Sequence, residues 1–260
     1  LARYLLFSEF VLDLPEDLPV ELKDVPHADA LQTDLIYKVC DSLRSSDKHQ
    51  EEYLELAAKV AADLSLEQHL KDVTDFGKRD TFAFEERIFL LQFIAATEAG
   101  KTERARELAA LRVNSIWAKE AERQLLWTIA ERGLELLCRI DEIEPDWKKQ
   151  AASLSALFSC YSEKLRSLDT LHRVFEQAVL DAYGDLGVVT ELVEKVRQRM
   201  LKFAEAVQGH FVSLVEQEGW PPAGHLRQTQ VFDKYLSPLL EERERVALLL
   251  VDALRFELAS

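Results

Sequence analysis

The chain closes on Arg245-Val246-Ala247-Leu248-Leu249-Leu250-Val251-Asp252-Ala253-Leu254-Arg255-Phe256-Glu257-Leu258-Ala259-Ser260. Its run of apolar residues, Val246 to Val251, ends on an acid and leads into a segment with helical spacing. A short continuous apolar run suits a strand buried on both faces, with helices covering each side. Followed by an acid and a helix, it reads as the first βα unit of an α/β domain. Open α/β sheets bind ligands at the carboxyl ends of their strands, which is where Asp252 falls. No further strand pattern follows, and the chain opens on Leu1 rather than methionine. The sequence therefore reads as a piece of a larger protein that reaches only the threshold of a second domain. The competing reading winds the same aliphatics into a buried helix, because short apolar runs fit both.

Upstream of that tail the composition favours a helical globular protein. The 260 residues are 48% hydrophobic and 30% charged, enough apolar material for a sizeable core. Only 8 Gly and 7 Pro interrupt a chain rich in Leu, Ala, Glu and Arg, which are good helix formers. No apolar run approaches the roughly 20 residues that cross a bilayer, and no signal pattern opens the chain. Cys40, Cys138 and Cys160 are far apart and form no Cys-x-x-Cys pair. They read as buried, reduced thiols of a cytoplasmic protein. The formal net charge of −15 argues against a nucleic-acid reader, which carries a basic excess. The local basic cluster from Lys195 to Lys202 reads as a solvated helix face.

Periodicity then organises the chain. Leu1 to Leu12 predicts a short helix, and Leu14-Pro15-Glu16-Asp17-Leu18-Pro19 a loop, since each proline restricts its predecessor. Pro26 suits the first turn of a helix to about Ser45, with Leu31, Leu35, Val39 and Leu43 as its apolar face and Ile36 and Cys40 alongside. A second helix over about 47–64 uses Tyr53, Leu56, Ala57, Val60 and Leu64. Gly77 marks a stop, and Asp80 or Thr81 a new cap, for a helix that points Phe84, Ile88, Leu91 and Phe93 inward and ends near Gly100. Thr102 caps its antiparallel neighbour, and another helix runs over 115–138. From Leu154 to Ala182, and again from Val189 to Leu214, apolar residues recur at spacings of three and four around Gly184 and Gly187. That pattern predicts a long antiparallel helical hairpin packed like a coiled coil. Gly219-Trp220-Pro221-Pro222-Ala223-Gly224 reads as a boundary. Residues 1–218 form the expected helical domain, 219–245 a linker with a short helix kinked at Pro238, and 246–260 the incomplete start of the next domain.

Few residues upstream carry a chemical signature. His27, His49, His69, His172, His210 and His225 show no ligand spacing and read as interior or boundary histidines. Glu85-Glu86-Arg87 and the charged run from Glu241 to Arg245 read as solvated faces with weak pairs. No phosphate loop, Gly-x-Ser-x-Gly or Cys/His nucleophile pattern is present. Asp252 is the one candidate site residue. From spacing alone it is either a helix N-cap or a hard oxygen ligand held at a strand end.

Val251-Asp252-Ala253-Leu254-Arg255-Phe256-Glu257 resembles the opening motif of the PglZ domain, a branch of the alkaline phosphatase superfamily found in BREX and phage-growth-limitation systems. Tyr4-Leu5-Leu6-Phe7-Ser8-Glu9-Phe10, Asp80-Thr81-Phe82-Ala83-Phe84-Glu85-Glu86-Arg87 and Ser115-Ile116-Trp117 are similar to the helical region that precedes the phosphatase domain in such proteins. The resemblance implies a mostly α fold ending in the first βα unit of an α/β phosphatase domain. It also implies that Asp252 is a metal ligand in an intact metal-dependent hydrolase of phosphate esters, with zinc as the divalent metal. The remaining ligands and the nucleophile are not matched in this sequence, so the chain itself is expected to hold no cofactor and to be inactive. Arg255 and Glu257 receive no catalytic role. The implied partners are other components of the phage-defence system, not a membrane, and nucleic acid is not expected to bind mainly through this acidic region. The alternative is a stand-alone helical scaffold for protein–protein interaction.

Overall fold

The computed structural model describes residues 1–46, 48–184, 186–222, 224–242 and 245–247. Among them every regular element is helical. The expected strand is not seen: Val246 and Ala247 lie in irregular chain, while 248–251, Asp252 and the helix expected after it fall outside the described residues. A lone strand leaves both edges unpaired, and the described residues offer no second strand to pair with. Among the described residues no helix is long and apolar enough to cross a membrane.

The helices are α1 (Ala2–Asp13), α2 (Thr33–Ser45), α3 (Gln50–Asp63), the short α4 (Leu66–His69), α5 (Glu85–Glu98), α6 (Thr102–Arg112) and α7 (Ala121–Ile143). After them come α8 (Trp147–Gln150), α9 (Leu154–Cys160), a π-helical turn at Tyr161–Leu165, α10 (Arg166–Asp181), α11 (Thr190–Glu218) and α12 (Ser237–Glu241). A second π-helical turn, Phe232–Leu236, runs directly into α12, which carries Pro238 in its first turn. The chain divides into two compact units. The first is Leu1–Glu131 with Ala178–Val193; the second is Arg132–Gln177 with Glu194–Ser260.

In the first unit α1 is buried almost all round, over Leu6, Phe7, Ser8, Glu9 and Phe10. Phe10 meets Phe76, Phe82 and Phe84 at ring separations of 5.8, 5.7 and 6.2 Å, an aromatic core with tilted and edge-on geometry. Against this core α2 presents Ile36, Cys40 and Arg44. The stripe expected from sequence is turned outward: Leu31 is 95% and Leu35 62% exposed. The cause is Arg44, whose guanidinium reaches the buried Glu9 and so selects the 36/40/44 face. The helix also starts later than Pro26 suggests. Asp29 accepts a hydrogen bond from Leu31 N–H and closes a 3-10 turn at Ala30–Gln32 first. In α3 the buried residues are Tyr53, Ala57 and Val60, as the spacing predicts.

Helix α5 begins at Glu85 rather than at Asp80 or Thr81. Its own Glu85 carboxyl accepts the Phe82 N–H at 2.7 Å, doing from the first turn what an N-cap side chain does from outside. Its buried face is Phe89, Leu90, Phe93 and Ile94, with Leu91 left exposed. The glycine stop before α6 is as expected, but the N-cap of α6 is Lys101 and Thr102 is its first residue. Gly100 sits at φ +68 and donates to Thr97 O, while Lys101 N–H donates to Ala96 O. This double bond pattern terminates a helix with glycine in the left-handed region.

The second unit holds the two antiparallel arms of the expected hairpin, whose turn lies within Ala178–Val193 of the first. Glu218 at the end of α11 accepts the Leu154 N–H at the start of α9. Farther along, Arg197 forms a two-pronged pair with Glu176 at 2.8 and 2.5 Å. The two segments therefore run antiparallel in steady register. Between them Leu165, Leu168, Phe175, Val196, Met200 and Phe203 are buried. Trp147 packs edge-on against Phe203 and His210, and His210 Nε2 lies 2.7 Å from the Ala151 carbonyl. His210 is thus an interior histidine. Arg199 ties the hairpin to α7 through Asp141 and Glu144.

Packing, not surface charge, should dominate the stability of this hairpin. Leu168→Ala, at a site 1% exposed, should lower the unfolding free energy by about 2–5 kcal/mol. Arg197→Ala should change it by under about 1 kcal/mol, because that pair is solvent-exposed. Urea titration followed by circular dichroism measures both.

Candidate functional site

Asp252, the candidate ligand from sequence, lies outside the described residues, as do Arg255 and Glu257. Among the described residues no group of three or more His, Cys, Asp or Glu could hold a metal ion. What the structure does bring together is the upstream blocks. Glu9 from α1, Asp80 to Glu86 at the entrance of α5, and Ser115 to Trp117 between α6 and α7 converge in the first unit.

Two carboxylates anchor the convergence. Glu9 is fully buried and accepts from Arg44 Nη1 at 2.7 Å, Arg44 Nη2 at 2.5 Å, Arg79 Nε at 2.8 Å and the Thr81 hydroxyl at 3.2 Å. Asp41 at the rim accepts from both guanidiniums. Arg44 also donates to the Tyr53 hydroxyl, which in turn donates to the Thr81 carbonyl. Burial works against the Arg44 charge, but the hydrogen bonds and charge of Glu9 outweigh it and hold the guanidinium above its ordinary value. Burial, reinforced by the Glu9 charge, pushes the neighbouring Cys40 thiol up to about 12, so Cys40 is an inert core thiol.

The second carboxylate is Glu86, 2% exposed. Its Oε1 accepts from Arg112 Nη1 at 2.9 Å and the Ser115 hydroxyl at 3.1 Å, and its Oε2 from Trp127 Nε1 at 3.1 Å. Arg112 stacks on Phe89 at 3.9 Å and donates to the Lys78 carbonyl. Trp117 Nε1 donates to the Asp80 carbonyl at 3.0 Å. The segment 78–80 is thereby clamped from one side by Arg112 and Trp117. From the other side Asp13 accepts both the Lys78 and Arg79 N–H groups at 2.6 Å. Gly77 makes that approach possible: it sits at φ +81, and an added Cβ would lie 2.2 Å from the Asp13 carbonyl oxygen.

The reading of Glu85-Glu86-Arg87 as a solvated face is corrected here. Arg87 is exposed, but both glutamates are buried. They fall on the same face of α5 as Phe89, Leu90 and Phe93, which was the available signal. Glu86 is neutralised by Arg112. Glu85 has no cation at hand, and burial pushes its carboxyl well above the usual range. The Phe82 N–H opposes that rise, and the charges of Asp80, Glu9 and Asp13 add to it.

Above this ionic layer lies a cleft of about 550 Å³. Its walls carry Arg44, Lys78, Arg79 and Lys119, the acids Asp41 and Asp80, and the polar Asn114 and Ser115. Each oxygen of Glu9 and of Glu86 is already committed, so neither is available as a base or a ligand. The layer's role is to position the cleft's rim.

Two outcomes follow from this chemistry. Glu9→Ala should lower stability by about 3–5 kcal/mol, since it leaves two guanidiniums facing an empty site, while a surface control such as Glu55→Ala should sit within about 0.5 kcal/mol of wild type. Glu85 behaves in the opposite sense with pH. Its folded pKa lies above its unfolded value, so its contribution is intact below about pH 4.5 and is lost as pH rises toward the folded pKa. Glu85→Gln keeps the acceptor for Phe82 N–H and removes the charge. Its stability advantage over wild type should therefore widen from pH 5 to pH 9 in urea titrations, and parallel curves would refute the assignment.

Compared with known proteins, the chain is 27% identical over 229 residues to the alkaline phosphatase-like protein PglZ of Bacillus cereus (strain H3081.97). The match covers 80% of this chain and 25% of that protein. No family model matches the chain, and no solved structure matches it. The chain is thus distantly similar, over most of its length and through a mostly helical structure, to about a quarter of an alkaline phosphatase-like PglZ protein.

Proposed function

We propose that this chain is the helical region of a PglZ-type protein of bacterial antiphage defence, and that it supports a metal-dependent phosphatase or phosphodiesterase without containing a complete active site. The observation that carries the reading is the 27% identity across 80% of the chain. The convergence of three separate sequence blocks on one ionic layer supports it, because it gives those blocks a shared structural task. In this reading Asp252 contributes one hard oxygen to a divalent cation, zinc, completed by Asp and His side chains elsewhere in the intact protein. Such a cation stabilises charge on the transferring phosphoryl group. The helical region positions that domain in the cytoplasm and docks other components of a BREX-type system.

A second reading, a helical scaffold for protein–protein interaction, is favoured by one feature of the second unit. Between the helical arms of its hairpin an open apolar trough of about 680 Å³ is floored by Leu157, Leu165, Leu168, Met200, Phe203 and Phe211. Apolar grooves between helices are places where a partner's apolar side chains can be buried.

Activity separates the two. The protein expressed from its complete natural gene should hydrolyse an aryl phosphate or phosphodiester with added zinc, and Asp252→Ala should lower kcat by at least about 100-fold. Residues 1–260 alone should show no turnover with or without zinc. Turnover by 1–260 would overturn the proposal, and an inactive complete protein would favour the scaffold.

A further inference from the structure

We propose that the cleft of the first unit is a binding site for a small phosphate monoester or inorganic phosphate, recognised by Lys78, Lys119 and the free edge of Arg79. The proposal is independent of the family reading and would stand if that reading failed.

Around the cleft and the layer beneath it four acids share three guanidinium groups, and one buried oxygen of Asp80 has no hydrogen-bond partner among the described residues. Glu9 and Asp41 are held by Arg44 and Arg79. Glu86 pairs with Arg112 at 2.9 Å, and Asp80 lies 3.8 Å from the same group. Two cations remain. Lys78 and Lys119 both line the cleft, and neither ammonium has an ion-pair or hydrogen-bond partner among the described residues. Arg79 spends Nε on Glu9 and Nη2 on Asp41, which leaves its Nη1 edge uncommitted. Its plane is fixed by stacking on Tyr37 at 4.1 Å.

The backbone that carries these donors is pre-positioned. Lys78 and Arg79 leave a backbone segment held by Asp13, Arg112 and Trp117, and Lys119 follows the turn whose Ser115 hydroxyl accepts the Ala118 N–H at 3.0 Å. The backbone is thus ordered in advance, and a ligand has to order the two exposed lysine side chains. Two ammonium groups and one guanidinium edge supply hydrogen-bond donors for the oxygens of a phosphate. In a chain of net charge −15 this surplus stands against the surrounding field. That field selects a compact anion over a polyanionic strand, whose remaining phosphates would meet the acidic surface.

Calorimetric titration at fixed ionic strength tests the site, with inorganic phosphate and a nucleoside monophosphate as separate probes and chloride as the reference. Wild type should bind at least one probe with a dissociation constant of about 1 mM or tighter. Lys78→Ala with Lys119→Ala should weaken binding by about tenfold or more. Lys23→Ala with Lys38→Ala, the same charge change elsewhere in that unit, should leave it unaltered. Both lysines of the test pair are exposed, so its melting temperature should match wild type; Lys78→Gln with Lys119→Gln is the substitute if it does not. No binding by either probe up to about 10 mM, or equal losses in the two lysine pairs, would overturn the proposal. Binding of the monoester but not of inorganic phosphate would identify the monoester as the ligand within the class proposed.

Discussion

The side-chain carboxylate of Glu9, inside a helix whose other inward neighbours are Leu6, Phe7, Ser8 and Phe10, constrains the first unit more than any other group. A buried carboxylate without partners costs several kcal/mol, and attraction offsets that only with close, multiple hydrogen bonds. The chain meets the demand with two arginines, 35 and 70 residues away. Arg44 then sets the rotation of α2 about its axis. Arg79 sets the path of the loop before α5, and that loop in turn brings Asp80 against Trp117 and Lys78 against Arg112.

This explains where sequence reading succeeded and where it failed. The hairpin of the second unit was legible because its buried positions are apolar and its charged ones exposed, so a spacing of three and four reports the inward face directly. The glycine turn between α5 and α6 was legible for a similar reason: left-handed backbone is written into Gly100. In α2 and α5 the inward faces include Arg44, Glu85 and Glu86. A hydrophobic-spacing rule places such residues outside, and so it assigned Leu31, Leu35 and Leu91 to the core. The pairing could not be seen from either partner alone, because Glu9 and Arg79 are on separate elements.

The candidate site was legible in part. The blocks at Glu9, at Asp80 to Glu86 and at Ser115 to Trp117 were singled out as features of one helical region, and they share one ionic layer. Their chemistry was misjudged at Glu85-Glu86, where charge was taken as a sign of solvent. The cleft above them had no advance signal, since Lys78 and Lys119 are 41 positions apart and neither belongs to a motif. The tail that pointed toward a phosphatase domain lies outside the described residues, so Asp252 stands on resemblance alone.

The make-up of the first unit bears on how the chain is born. Its first part, through Glu131, is joined by Ala178–Val193, where Val189, Leu192 and Val193 are buried. A ribosome releases the N-terminus first, so Glu9 emerges well before Arg44 and Arg79, and all three before Val189. During that interval α1 exposes an uncompensated acid among phenylalanines, an arrangement that favours solvation over collapse. Vectorial synthesis should therefore keep that helix loose until Arg44 and Arg79 have followed it, and the unit is complete only once Ala178–Val193 has been made.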